Sequence, residues 1–180
     1  MQTFVAIPID YLSDLLDTIE RLTGEANTDE LTGLPNRRSL LTEMRHLDRA
    51  DEPYSLLIFD LNGFKALNDT HGHRAGDNAL RQVAHRLHTS TQIFMNGLFP
   101  ARLGGDEFAV IIRGNAADGH AIADIILTAL DEQESISASG GVAHRDHCHG
   151  ITALMGRADR AMYIAKRDRR TVIPGIPPYI

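Results

Sequence analysis

The stretch FDLNGFKALNDTHGHRAGD, Phe59 to Asp77, decides how this chain folds. It starts inside an apolar run, Ser55 to Leu61, that is short and continuous enough to be a buried strand. Asp60 therefore stands at a strand end. Gly63 breaks the run, and Phe64 to Leu67 reads as a short helical piece. His71 to Gly76 reads as a turn, after which Leu80, Val83, Ala84 and Leu87 recur at helical spacing on a long helix. A strand turning sharply into a helix leaves backbone N–H groups free at the turn. Here they belong to Gly63, Phe64 and Lys65, and such groups can hold phosphate oxygens. Lys65 adds a point charge to that cradle.

Upstream, Asp10 can cap an amphipathic helix with apolar positions Leu12, Leu15, Leu16, Ile19 and Leu22, ended by Gly24. It either packs on its own domain or pairs with a second copy. At less than three heptads, packing or weak pairing is favoured. Asn36 can cap a second helix running to about Leu47, before Asp51, Glu52 and Pro53 break the pattern. Downstream, a strand-like stretch near Ile93, a tight turn at Gly104 and Gly105, and the arm Phe108 to Ile112 read as a hairpin. A helix from about Ala117 to Leu130, a strand from Ile136 to Val142, a helix from Thr152 to Lys166 and a short strand near Val172 follow. Helices and strands are interspersed without strict alternation, so the expected class is α+β with a mostly antiparallel sheet.

Composition narrows the function. The 180 residues fit one domain, and 43% hydrophobic with 23% charged residues is an ordinary globular balance. No apolar run approaches the roughly 20 residues that cross a bilayer. Met1 to Pro8 lacks the basic flank and small-residue cleavage site of a secretion signal. The single cysteine, Cys148, has no internal disulfide partner, so a cytoplasmic location is expected. A formal charge of -6 argues against nonspecific nucleic-acid binding. An anionic ligand would need cations gathered locally, from Lys166, Arg167, Arg169 and Arg170 or from a divalent metal. The same basic cluster also suits a solvated helix end.

Three acidic residues sit at strand edges: Asp60, and Asp106 with Glu107 directly after the double glycine. If the hairpin lies beside the first strand, Asp60 and Asp106 face one another across a cleft. Two close carboxylates repel unless a divalent cation joins them, and hard oxygen donors suit magnesium. Taken alone, the same letters also describe an acidic turn facing solvent. His144, His147, Cys148 and His149 offer softer ligands, but their spacing fits no common structural zinc site, and Asp146 or solvent satisfies them equally well.

Four blocks occur in order: DELTGLPNRR (Asp29 to Arg38), FDLNGFKALNDTHGHRAGD, ARLGGDEF (Ala101 to Phe108) and ADRAMYIAKRDRR (Ala158 to Arg170). Together they resemble the GGDEF family over about residues 28 to 173, far more specifically than the five-letter signature alone. The resemblance divides the chain into an amphipathic lead-in helix, 1–27, and a diguanylate cyclase domain, 28–180. It implies a nucleotidyl-cyclase and polymerase-palm type α+β fold, with a central five-stranded sheet flanked by helices. The implied activity is condensation of two GTP into the bacterial second messenger cyclic di-GMP, releasing two pyrophosphates at the interface of a two-fold homodimer. Mg2+ is the implied cofactor, with Mn2+ a substitute.

Roles follow position by position from the same resemblance. Asp60 and Asp106 bind the metal, with the Leu61 carbonyl as a further ligand and Glu107 close by. Asp106, Lys65 and Glu107 form the catalytic set, with Asp106 a candidate proton acceptor. Gly63, Phe64, Gly104 and Gly105 shape the GTP site, and Asn68 and Asp77 read the guanine edge. Lys65, Lys166 and Arg170 bind the β- and γ-phosphates. The chain departs from the family at Asn62, usually a second aspartate, and at Arg169 and Thr171, usually glycine and asparagine. Met95 and Leu98 stand where many members carry an Arg-x-x-Asp inhibitory site for product. The competing expectation is a catalytically inactive module that binds GTP, cyclic di-GMP or a protein partner.

Overall fold

The computed structural model describes residues 27–95, 97–131, 137–145, 150–168 and 172–174. The expected lead-in helix, the loop histidines His147 and His149 with Cys148, and Arg170 lie outside the described residues. Among them run helix α1 (Arg37–Ala50), strand β1 (Tyr54–Asn62), helices α2 (Phe64–His71) and α3 (His73–Ile93), and the hairpin β2 (Leu98–Gly104) and β3 (Glu107–Arg113). Helix α4 (Ala116–Asp131), strand β4 (Ser137–His144), helix α5 (Ile151–Asp168) and strand β5 (Val172–Pro174) complete the order.

The five strands form one sheet in the order β2-β3-β1-β4-β5. All neighbours are antiparallel except β4 and β5. The expected class and strand number both hold. β1 is central and buried on both faces, which is why its sequence is a continuous apolar run instead of an alternation. Side chains still alternate across it. Leu57, Phe59 and Leu61 join Leu80, Val83 and Leu87 of α3 and Ile126 and Leu127 of α4. Leu56 and Ile58 join Leu40, Met44 and Leu47 of α1 and Leu154 and Ala158 of α5. The result is a sheet between two helical layers. Across β1 and β3, Phe59 and Phe108 stack with ring centres 5.5 Å apart.

Local chemistry sets the element ends. Asn36 caps α1, its side-chain oxygen accepting from the N–H groups of Arg38 and Ser39 at 3.0 and 3.2 Å. Asp51 ends that helix in the left-handed region at φ 57. Between α2 and α3 only Gly72, at φ 81, leaves helical geometry, so the expected turn at His71 to Gly76 shrinks to one residue. The expected strand-like stretch near Ile93 is corrected: α3 runs through Ile93, and β2 begins at Leu98. The hydroxyls of Thr89, Ser90 and Thr91 donate back to the carbonyls of His85, Arg86 and His88, which lets these poor helix formers stay helical. No helix among the described residues is long and apolar enough to cross a membrane.

Candidate active site

The chemistry gathers where β1 ends beside the β2–β3 turn. The register pairs Asp60 with Glu107 on one side and with Ser139 of β4 on the other. The Leu61 N–H donates to the Asp106 carbonyl at 3.4 Å, which holds the turn against the end of β1. Gly104 and Gly105 take φ 139 and 55, both left-handed, and the pairing shifts register between Arg102 and Gly104. A side chain at either position would be strained. The double glycine thus lets the turn bring Asp106 to Asp60.

The Asp60 charge acts on Asp106 across this turn. Burial, then the Asp60 charge, pushes the Asp106 carboxyl above its ordinary value, against the pull of Lys166 and Arg102. Glu107 is also raised, by burial and then by Asp159, Asp60 and Asp106, with Arg37 opposing. Lys166 reaches from the last turn of α5 to place Nζ 2.7 Å from Asp60 Oδ1. Among the described residues no three His, Cys, Asp or Glu side chains converge as a metal cluster. Of the neighbouring charges, Asp60 acts most on Asp106, and Asp159 of α5 acts most on Glu107.

The strand-to-helix turn after β1 falls at Gly63. Gly63 precedes α2 at φ 74 without a side-chain cap, and its carbonyl accepts from the Leu67 N–H at 2.9 Å. Lys65 lies exposed in the first turn. On α2, Asn68 faces the first turn of α3, where Gly76 and Asp77 stand, and its Oδ1 is buried without a hydrogen-bond partner among the described residues. Asn62, in place of an aspartate, uses both ends of its amide: it donates to Ser137 Oγ at 3.1 Å and accepts from Ser139 Oγ at 3.0 Å.

Sequence reasoning assigned no role to Asp29 and Arg102. The Arg102 guanidinium donates to both Asp29 oxygens at 2.8 and 3.0 Å, and to the Gly105 carbonyl at 2.7 Å. Thr32 donates to Asp29 from its N–H and hydroxyl at 2.9 and 2.6 Å. The segment before α1 therefore grips the turn that carries Asp106. In the sequence, only the membership of Asp29 in DELTGLPNRR and of Arg102 in ARLGGDEF marks them. Of the two positions compared with an inhibitory site, Met95 is 90% exposed, whereas Leu98 is 7% exposed and packs in the core.

A family model described as "Diguanylate cyclase, GGDEF domain" matches residues 26–171. The chain belongs to the GGDEF family. Among GGDEF relatives, Diguanylate cyclase VdcA of Vibrio cholerae is 34% identical over 176 residues, covering 91% of this chain and 51% of VdcA. Diguanylate cyclase TpbB of Pseudomonas aeruginosa is 37% identical over 171 residues, covering 87% of this chain and 39% of TpbB. This GGDEF chain thus spans about half, or less, of the length of those relatives. The coiled coil and GGDEF domain of DgcB from Caulobacter crescentus, solved in complex with c-di-GMP, superposes with a TM-score of 0.80 at 29% identity, covering 92% of this chain and 94% of that one.

Proposed function

We propose that this chain is a diguanylate cyclase that condenses two GTP into cyclic di-GMP in the cytoplasm, with one GTP bound per domain. The observation that carries this reading is the meeting of Asp60 and Asp106 beside the uncapped α2 turn, with Asp106 raised by burial and by its neighbour. Among the described residues Lys166 bonds Asp60 and not Asp106, so the pair keeps unspent negative charge and hard oxygen donors. That donor set fits Mg2+ or Mn2+, held by Asp60, Asp106 and the Leu61 carbonyl, with Glu107 adjacent. When bound, such an ion lowers the pKa of the attacking hydroxyl and offsets charge on the phosphoryl group.

The chain's own residues supply the rest. The N–H groups after Gly63, together with Lys65, hold phosphate oxygens. Lys166 exchanges its Asp60 contact for the β- and γ-phosphates, joined by Arg170, and balances departing pyrophosphate. Gly104 and Gly105 leave space for the nucleotide, and Phe64 packs against the core beneath the turn. Asn68 and Asp77 accept from guanine's N1–H and 2-amino donors. Adenine lacks that amino group and has an acceptor at N1, so ATP leaves a buried acceptor unpaired at a cost of about 1 to 3 kcal/mol.

The 3′-oxygen of one GTP forms a bond to the α-phosphorus of the other as the bond to pyrophosphate breaks. The hydroxyl proton goes to a carboxylate such as Asp106. A second, symmetric step closes the ring. One domain holds one nucleotide, so a two-fold pair of chains must bring two half-sites together. The test is incubation with Mg2+ and either GTP or ATP. Cyclic di-GMP from GTP alone, lost on chelating the metal, supports the reading. Guanine-nucleotide binding without product assigns the chain to the nonenzymatic class instead.

A further inference from the structure

Two serines of β4 stand opposite the end of β1. The antiparallel register sets Ser139 against Asp60 and Ser137 against Asn62. Directly opposed residues project from the same face of a sheet, with Cβ atoms about 5 Å apart. Asp60 and Asn62, two positions apart on one strand, share that face as well. The Ser139 hydroxyl nevertheless turns past Asp60. It donates to Asn62 Oδ1 at 3.0 Å, while the Asn62 amide nitrogen donates to Ser137 Oγ at 3.1 Å. Asn62 is exposed and Ser139 is buried, so the amide reaches in from the edge and fixes the buried hydroxyl.

This arrangement leaves a carboxylate oxygen open. Asp60 Oδ1 accepts from Lys166 Nζ at 2.7 Å. Among the described residues Asp60 Oδ2 accepts no hydrogen bond, although the side chain is only 14% exposed. A serine hydroxyl has a single proton to donate. Donated to Asp60, it would occupy the acceptor that a hard cation requires. Donated to Asn62, it leaves that acceptor alone. We propose that Asn62 is a positioning residue for the divalent cation, whose amide oxygen holds the Ser139 hydroxyl off Asp60 and keeps the second carboxylate oxygen open. This deepens the reading given under the proposed function and rests on its placing of the cation at Asp60.

Titration of the full chain with Mn2+ alone, the free ion being counted by electron paramagnetic resonance, provides the test without nucleotide or turnover. Wild type is compared with Asn62→Ala, Ser139→Ala, the double variant, Asn62→Asp and Asp60→Asn. In Asn62→Ala the released hydroxyl turns to Asp60 and must be displaced when the ion binds. Mn2+ affinity should therefore fall about three- to tenfold, the size of one hydrogen bond. Ser139→Ala alone should stay within about twofold of wild type, and the double variant should return to that range, because no hydroxyl remains to compete. Asn62→Asp should bind at least as tightly as wild type, since a carboxylate also accepts from Ser139 and adds negative charge. Unchanged affinity in Asn62→Ala, a loss that persists in the double variant, or weakened binding in Ser139→Ala or Asn62→Asp would overturn the role of Asn62. Mn2+ binding that is absent from wild type, or that survives Asp60→Asn, would instead overturn the placing of the cation at Asp60.

Discussion

The fold moves the proton affinities of Asp106 and Asp29 in opposite directions. Asp106 is raised, by burial and by the Asp60 charge. A raised carboxyl favours the folded state below its unfolded pKa, and that contribution is lost as pH rises through the folded value. At neutral pH the ionised group therefore strains the fold. Asp106→Asn should lower GTP turnover at least about 100-fold, through loss of a proton acceptor and a metal ligand. Its melting temperature at neutral pH should equal or exceed that of wild type. Substantial turnover with normal melting would remove Asp106 from the mechanism. For Asp29, burial pushes upward, but hydrogen bonds from Thr32 and Arg102 outweigh it and leave the group below its ordinary value of 3.8. Its stabilisation is complete above that value and is lost as pH falls through the depressed one. Asp29→Asn should cost about 2 kcal/mol in neutral urea titrations, and the gap from wild type should close as pH drops below 4. A gap that does not vary with pH would mean that Asp29 acts through shape and not through charge.

At the scale of elements, α5 delivers Lys166 to Asp60 because it lies directly on β4. A Cβ on Gly141 would overlap the Met162 N–H and the Ala158 carbonyl and stand 2.6 Å from Ala161 Cβ. Backbone cannot rotate out of the way, so Gly141→Ala should push the helix off the sheet. We expect a loss of about 1 to 3 kcal/mol by chemical denaturation, with turnover falling further because Lys166 moves with the helix. Normal stability would show that α5 has slack on the sheet. Much of this layering was legible in sequence: β1 and β3 are continuous apolar runs, and the apolar positions of α3 and α5 repeat at helical spacing. The end of α3 was not, because Thr89 to Ile93 carries strand-favouring residues whose hydroxyls find helical carbonyls only once the helix exists. The acidic pair was legible because both members sit in short motifs at strand ends. The Asp29–Arg102 clamp and the fit of Gly76 against Asn68 were not, since both depend on which elements pack together.

At the scale of the whole molecule, the proposed reading places cation, phosphates and base at one end of the sheet, where β1, α2, α3, the hairpin turn and α5 meet. That half-site reaches one nucleotide, and the condensation needs two held head to tail. Specific activity should therefore rise with protein concentration until dimers saturate, as followed by sedimentation alongside turnover. The central claim is tested most directly by a single time course with GTP and Mg2+ at a concentration where dimers predominate, with cyclic di-GMP and pyrophosphate measured together. The account predicts two pyrophosphates for every cyclic di-GMP, with no linear product accumulating. Pyrophosphate without cyclic product, or no turnover of GTP by a folded dimer, would contradict it.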